Sequence, residues 1–335
     1  MKLIYTFLAL ILLASCTSNK PVKRVVQGNA FGTTYTIQFF TSEELNIEKG
    51  VDSIIHVVNK SVSTYMQNSD ISRINRGDST VVVDAIFKEV FRISETVYTN
   101  SHGYFDPTIG VLRNAYGFGD VKPIKVIDTS TLDSLMKFVG FEKVFISKDN
   151  KVVKEYPEIY FDFNAVGKGY GIDCLGRYLE GKGVENYIIE LGGEVLARGR
   201  NLSKEKWWTA GVESVRSQLE DRSATEVIQL KNRAMAGSGN YRKFRVDSLT
   251  GKKYVHTLNP LTGSAEQSDV TSATVIANTC GEADAYATAL MALGLKKSIE
   301  MLKATDAVEA YLTYTDSLNM EQVYITEGFK KQLAN

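Results

Sequence analysis

Cysteine, histidine and proline are scarce in this chain: its 335 residues include three, three and five of them. With only Cys16, Cys174 and Cys280, a disulfide framework is excluded, and no Cys/His spacing suits a zinc site. Cys174 and Cys280 lie in apolar, helix-like settings and read as buried free thiols, although an oxidising compartment would allow them to pair. Imidazole chemistry is confined to His56, His102 or His256. Excess charge of either sign is missing too, with 39 basic and 39 acidic residues, so nothing points to nucleic acid. Repeats and low-complexity tracts are absent. The apolar run from Leu3 to Leu13 is shorter than the ~20 residues a membrane-spanning helix needs.

That run reads instead as the core of a signal peptide. Met1-Lys2 is a short basic start, Leu3 to Leu13 the apolar region, and Leu13-Ala14-Ser15-Cys16 looks like a bacterial lipobox. Cleavage would remove residues 1–15 and leave Cys16 to carry lipid. Each buried methylene adds about 0.8 kcal/mol of membrane affinity, so several acyl chains hold firmly. The expected address is the periplasmic side of a cell membrane, with inner and outer membrane both open. Residues 16–24, polar and containing Pro21, read as a tether, and 25–335 as one domain without a clean linker.

Tyr35, Ile37 and Phe39 alternate with polar residues, the period of a half-buried strand. Thr41 and Glu44 have the spacing of a capping box for a helix reaching about Ser61, and a second helix is expected over about Asp84 to Asn100. Further strands are expected at Val144–Ile146, Ile159–Phe163, Tyr187–Leu191, Glu226–Leu230, Tyr254–Leu258, Val270–Ala277, Glu309–Tyr314 and Val323–Thr326. Helices are expected at about Lys168–Glu180, Gly281–Leu293 and Lys296–Lys303. This mixed order argues for an α+β fold, a compact arrangement of sheet and helix, over a doubly wound sheet.

Two segments carry chemistry. Asp284 and Thr288 stand four apart in an Ala-rich helical run, which stacks a carboxylate and a hydroxyl on one face. Magnesium takes such hard oxygens and completes its shell with water and phosphate. The plainer alternative is a Thr bonded into its own helix beside a solvated Asp. In Phe161-Asp162-Phe163-Asn164-Ala165-Val166-Gly167-Lys168-Gly169-Tyr170-Gly171, a strand delivers Asp162 and a helix starts near Lys168, a design that attracts phosphate. It is not a Walker A loop, since Tyr170 replaces the Ser or Thr and the leading Gly is missing.

Four more segments complete a pattern: Ser63-Thr64-Tyr65-Met66 leading to Ser69–Asn75; Gly103–Gly110 with Tyr116–Gly119; Gly237-Ser238-Gly239-Asn240-Tyr241-Arg242; and His256-Thr257-Leu258-Asn259-Pro260-Leu261-Thr262-Gly263. In this order, with the two above, the chain resembles the lipoprotein form of the ApbE family, the FAD:protein FMN transferases, from about Asn29 to Leu293. The resemblance implies a magnesium-dependent enzyme that cuts the FAD pyrophosphate and moves FMN onto a Ser or Thr of a client flavoprotein, releasing AMP. Clients in that family are subunits of redox pumps and extracellular electron-transfer proteins. It implies flavin contact at Tyr65, with Phe31 where Met is usual. Tyr104, Phe105 and Asp106 would line the adenosine or ring pocket, Asp162 and Lys168 would hold polar groups of FAD, and Leu258 would touch it. The metal ligands would be the Ala165 carbonyl, Asp284 and Thr288.

His256 is the leading general base, with Asp106 and Asp162 open as alternatives should their pKa values be raised. Glu194, where Asp is common, Asn240 in place of Asp, and Asn259 before Pro260 depart from the family pattern. A periplasmic FAD pyrophosphatase and a flavin-carrying lipoprotein remain as other readings. Asp269–Thr274 has the look of a flavin acceptor site, but its β-rich context favours a buried strand over self-modification at Thr274. Replacing the acylated thiol tests the address directly: Cys16→Ser should move the protein from the membrane to the soluble fraction on ultracentrifugation and abolish its lipid mass increment.

Overall fold

Two-residue hairpins set the register of the main sheet. Val22–Ala30 (β1) and Thr33–Thr41 (β2) pair with Ala30 opposite Thr33, leaving Phe31 and Gly32 as the turn. Both adopt positive φ, 49° and 78°, which a tight turn matched to strand twist requires. Tyr187–Leu191 (β3) and Glu194–Arg198 (β4) repeat the device around Gly192 and Gly193. Ala234–Gly239 (β5), Val270–Ala277 (β6), Glu309–Thr315 (β7) and Glu321–Ile325 (β8) extend the sheet. The eight strands lie side by side in chain order and every pair is antiparallel. The computed structural model describes residues 20–124, 127–213, 224–240, 244–246, 251 and 253–334; the expected signal peptide, Cys16, Tyr241 and Arg242 lie outside them.

Most helices collect on one face. The β2–β3 connection carries Glu48–Val62 (α1), Asp70–Asn75 (α2), Ala85–Asn100 (α3), Gly110–Tyr116 (α4), Thr129–Met136 (α5) and Gly167–Gly181 (α6). Cys280–Leu293 (α7) and Leu295–Ala304 (α8) join β6 to β7. Ala236, Ala273 and Val275 of the sheet share a core with Ala285, Ala289 and Leu290 of α7 and Phe87 and Val90 of α3. On the other face a three-stranded sheet of Arg200–Asn201, Lys206–Glu213 and Ala224–Leu230 brings Trp208 and Ile228 against Met235 and Ile276. Helices segregated against an antiparallel sheet make this an α+β fold, as expected.

A step in the sheet makes room for a site. β4 meets β5 only through Leu196–Ala234 and Val195–Met235, because the β3–β4 hairpin ends there, while β5 continues to Gly239 against β6. The two hairpin tips adjoin, with Gly192 N–H donating to Thr34 at 3.2 Å. Beyond them the end of β5 and the start of α6 border open space.

α6 and α7 pack at backbone distance over that space. A Cβ on Gly169 would fall 2.3 Å from the Cys280 carbonyl oxygen and 2.9 Å from the Asp284 Cβ, so only glycine fits. Asp173 of α6 accepts the N–H groups of Cys280 and Gly281, both at 2.8 Å, filling orphan donors at the start of α7. Thr279 caps the same helix, accepting from Glu282 N–H at 3.3 Å. Cys174 and Cys280 are free thiols, the latter buried.

Most expected elements stand where the pattern put them, and four differ. β1 starts at Val22, so it absorbs Val22, Lys23 and Arg24, residues assigned to the tether. Thr41 is the last residue of β2 and its hydroxyl accepts from Glu43 N–H, so the first helix starts later, at Glu48. Ile159–Phe163 forms no strand beyond a bridge between Tyr160 and Ile109; the Asn75 side chain takes both polar groups of Phe161, at 2.7 and 2.9 Å, and Pro107 accepts from Asp162 N–H. The strand expected over Tyr254–Leu258 runs instead over Lys253–Val255, leaving His256 and Leu258 in a loop. Gly169→Ala should lower unfolding stability by about 1–3 kcal/mol through overpacking, read as a shifted urea midpoint at unchanged slope.

Candidate active site

The step in the sheet opens into a cavity of about 800 Å³. Loop, hairpin and helix ends supply its walls, and every residue singled out for flavin or metal contact lines it: Phe31, Tyr65, Tyr104, Phe105, Asp106, Asp162, Ala165, Lys168, His256, Leu258, Asp284 and Thr288. His56 and His102 are exposed and do not line it.

Aromatic residues occupy the mouth. Tyr65 is 71% exposed, so its ring face is left open by the protein. Phe31 holds its positive φ at the β1–β2 tip, a strained position for a bulky residue, and its ring lies where a Cβ on Gly171 would come within 2.6 Å. Tyr104 is capped by α8, with Lys297 Nζ 4.5 Å from its ring centroid. Leu258 is buried beside Leu112, Tyr116 and Val139.

Deeper in, charges are paired. Lys168, in the first turn of α6, forms an ion pair with Glu194 beside the tip of the β3–β4 hairpin. Burial opposes the charge on Lys168, but Glu194 and Asp284 outweigh it and raise its pKa. Burial pushes the Glu194 carboxyl up against the pull of Lys168, with Asp284 adding to the rise. Asp284 is raised chiefly by burial and accepts the Gly169 N–H at 3.1 Å. Nearer the mouth, Arg113 of α4 pairs with Asp162 at 3.1 Å, while Asp162 also accepts from Asn164 N–H at 2.7 Å.

Asp106 lines the cavity as expected and is also tied into its wall. Its carboxylate accepts from Thr108 N–H at 2.7 Å, the Thr108 hydroxyl at 2.6 Å and Phe141 N–H at 3.1 Å. Those oxygens hold a loop together. Arg113 and Glu194 are ion-paired members that sequence reading did not assign to the site; their partners come from distant segments, and only the departure noted at Glu194 was a signal.

The donor set suits a hard cation. Asp284, Thr288 and Ala165, which carry a carboxylate, a hydroxyl and a main-chain carbonyl, line one cavity. Among the described residues no cluster of three or more His, Cys, Asp or Glu could hold an ion alone, so one held here leans on water and ligand oxygens, the habit of magnesium. Thr274 is buried in the middle of β6 between Gly237 and Tyr311, in the strand expected for it.

A sequence model of the ApbE family matches residues 31–312. The chain belongs to the ApbE family. An ApbE relative from Vibrio cholerae serotype O1, named FAD:protein FMN transferase, is 31% identical over 334 residues, covering 97% of each chain. One of the same name from Haemophilus influenzae is 31% identical over 321 residues, covering 91% of this chain and 90% of its own. The solved structure of the flavin transferase ApbE from Vibrio cholerae superposes with a TM-score of 0.82 at 28% identity, over 93% of this chain and all of that one.

Asp106 offers a pH test. Burial raises its pKa to about 6, so protonation favours the fold, and its contribution is complete below about pH 4 and lost as pH rises through 6. The stability difference between wild type and Asp106→Asn should therefore fall by about 3 kcal/mol across that window, measured by urea melts from pH 4 to 7.

Proposed function

We propose that the chain moves FMN from FAD onto a Ser or Thr hydroxyl of a client protein, forming a phosphoester and releasing AMP. The observation that carries this reading is a single cavity joining an open aromatic mouth to Lys168, Arg113 and the oxygens of Ala165, Asp284 and Thr288. FAD suits both halves, with a flat apolar ring at one end and a charged pyrophosphate at the other.

In the reaction, the acceptor oxygen bonds to the phosphorus of the FMN half. The bond from that phosphorus to the bridging oxygen breaks, and the bridging oxygen leaves on AMP. Tyr65 and Phe31 hold the ring by stacking. Lys168 and Arg113 offset the phosphate charge, which grows on the departing AMP. The positive end of the α6 dipole adds to that attraction. Ala165, Asp284 and Thr288 would hold magnesium, which supplies Lewis-acid withdrawal from the phosphate oxygens. His256, half-buried on the cavity wall, takes the hydroxyl proton.

Lipid on Cys16 holds the enzyme on the periplasmic side of a cell membrane, within reach of membrane-bound clients. The supporting feature is the lipobox after a basic start and a short apolar run.

Incubating the protein with FAD, magnesium and a threonine-bearing flavoprotein domain should add one FMN mass to that domain and release one AMP per modification. AMP formed equally fast without the domain would instead make it an FAD pyrophosphatase, and intact FAD would make it a carrier. Asp284→Ala should lower turnover at least about 100-fold while leaving circular dichroism unchanged.

A further inference from the structure

Lys168 stands in an unusual place for a cation. It lies in the first turn of α6, where the helix dipole disfavours positive charge, and its side chain is only 28% exposed. Two carboxylates act on it from different elements, Glu194 from the β3–β4 hairpin and Asp284 from α7. Only Glu194 forms the ion pair. Glu194 is itself 3% exposed, and among the described residues its Oε2 has no partner besides this lysine. Asp284 meanwhile has a main-chain N–H on one oxygen and no ion-pair partner among the described residues.

We propose that Glu194 is a positioning residue that keeps the Lys168 ammonium off Asp284, leaving that carboxylate open to a divalent cation and the ammonium facing the diphosphate. The inference rests on Ala165, Asp284 and Thr288 being the cation's donors. Without Glu194, the other carboxylate that acts on this half-buried ammonium is Asp284, the cation's ligand. Lysine and metal would then compete for the same oxygens. The restraint is local, because Glu194 follows a turn whose Gly192 and Gly193 both hold positive φ and the residue is paired across the hairpin to Leu191.

The test is manganese binding, followed by electron paramagnetic resonance on the full lipidated chain in detergent, without FAD or client. Glu194→Gln keeps the shape and removes the charge; it should weaken manganese binding about tenfold, the size of a contact-pair coupling. Glu194→Asp should stay within about threefold of wild type. The double variant Glu194→Gln with Lys168→Met should regain wild-type affinity or better, since the competitor is gone. Unchanged binding in Glu194→Gln, or a double variant as weak as Glu194→Gln alone, overturns the proposal, the latter because a lost field and not a freed lysine would then explain the defect. Asp284→Ala separates the two layers. If it loses manganese while Glu194→Gln does not, only the positioning role fails; if it binds like wild type, the donor assignment falls and the proposal with it.

Discussion

The contact between α6 and α7 is the constraint on which the cavity depends. Gly169 allows the helices to touch main chain to main chain, and Asp173 ties the start of α7 to the flank of α6 by two hydrogen bonds. Asp173 is raised to about 6, chiefly by burial, against the two N–H groups that favour its charge. A carboxylate is therefore kept under apolar cover to fix one helix end. What the structure gains is position: Asp284 comes one turn along α7 to meet the backbone of α6, and Lys168 is carried to the same spot on the neighbouring turn. Any looser packing would separate the groups that act on one ligand.

Charge is gathered in this cavity and matched in pairs. Buried ion pairs seldom add net stability, because desolvation costs several kcal/mol per ion. Lys168 with Glu194 and Arg113 with Asp162 are better understood as preorganisation. Each holds a cation at a fixed point, so little reorganisation is left when an anionic substrate arrives. The aromatic mouth has the opposite character, with Tyr65 uncovered and able to exchange its partner with solvent.

How much could be read in advance followed the physics of each segment. β6 and α7 were legible almost to the residue, the first as an apolar β-branched run and the second as an Ala-rich helix. α3 was expected from about Asp84, which the structure makes its cap, accepting from Phe87 N–H at 2.8 Å. β1 was missed because it is an edge strand whose first four residues are all exposed, which leaves no alternation to detect there. Ile159–Phe163 was apolar enough for a strand, but tertiary contacts from Asn75 and Pro107 claimed its hydrogen bonds. Cavity residues grouped in local motifs were found. Arg113 was not, since its meaning lies in a partner that only folding brings near.

Phe31 and Gly171 illustrate a relation that single-position reasoning misses. The ring sits on a strained hairpin tip and fills the space where a side chain at 171 would project. Evolutionary drift at these two sites is therefore yoked: bulk added on the helix demands bulk removed from the tip. In an alignment of close descendants the two columns should vary together, with glycine at one tracking a long side chain at the other.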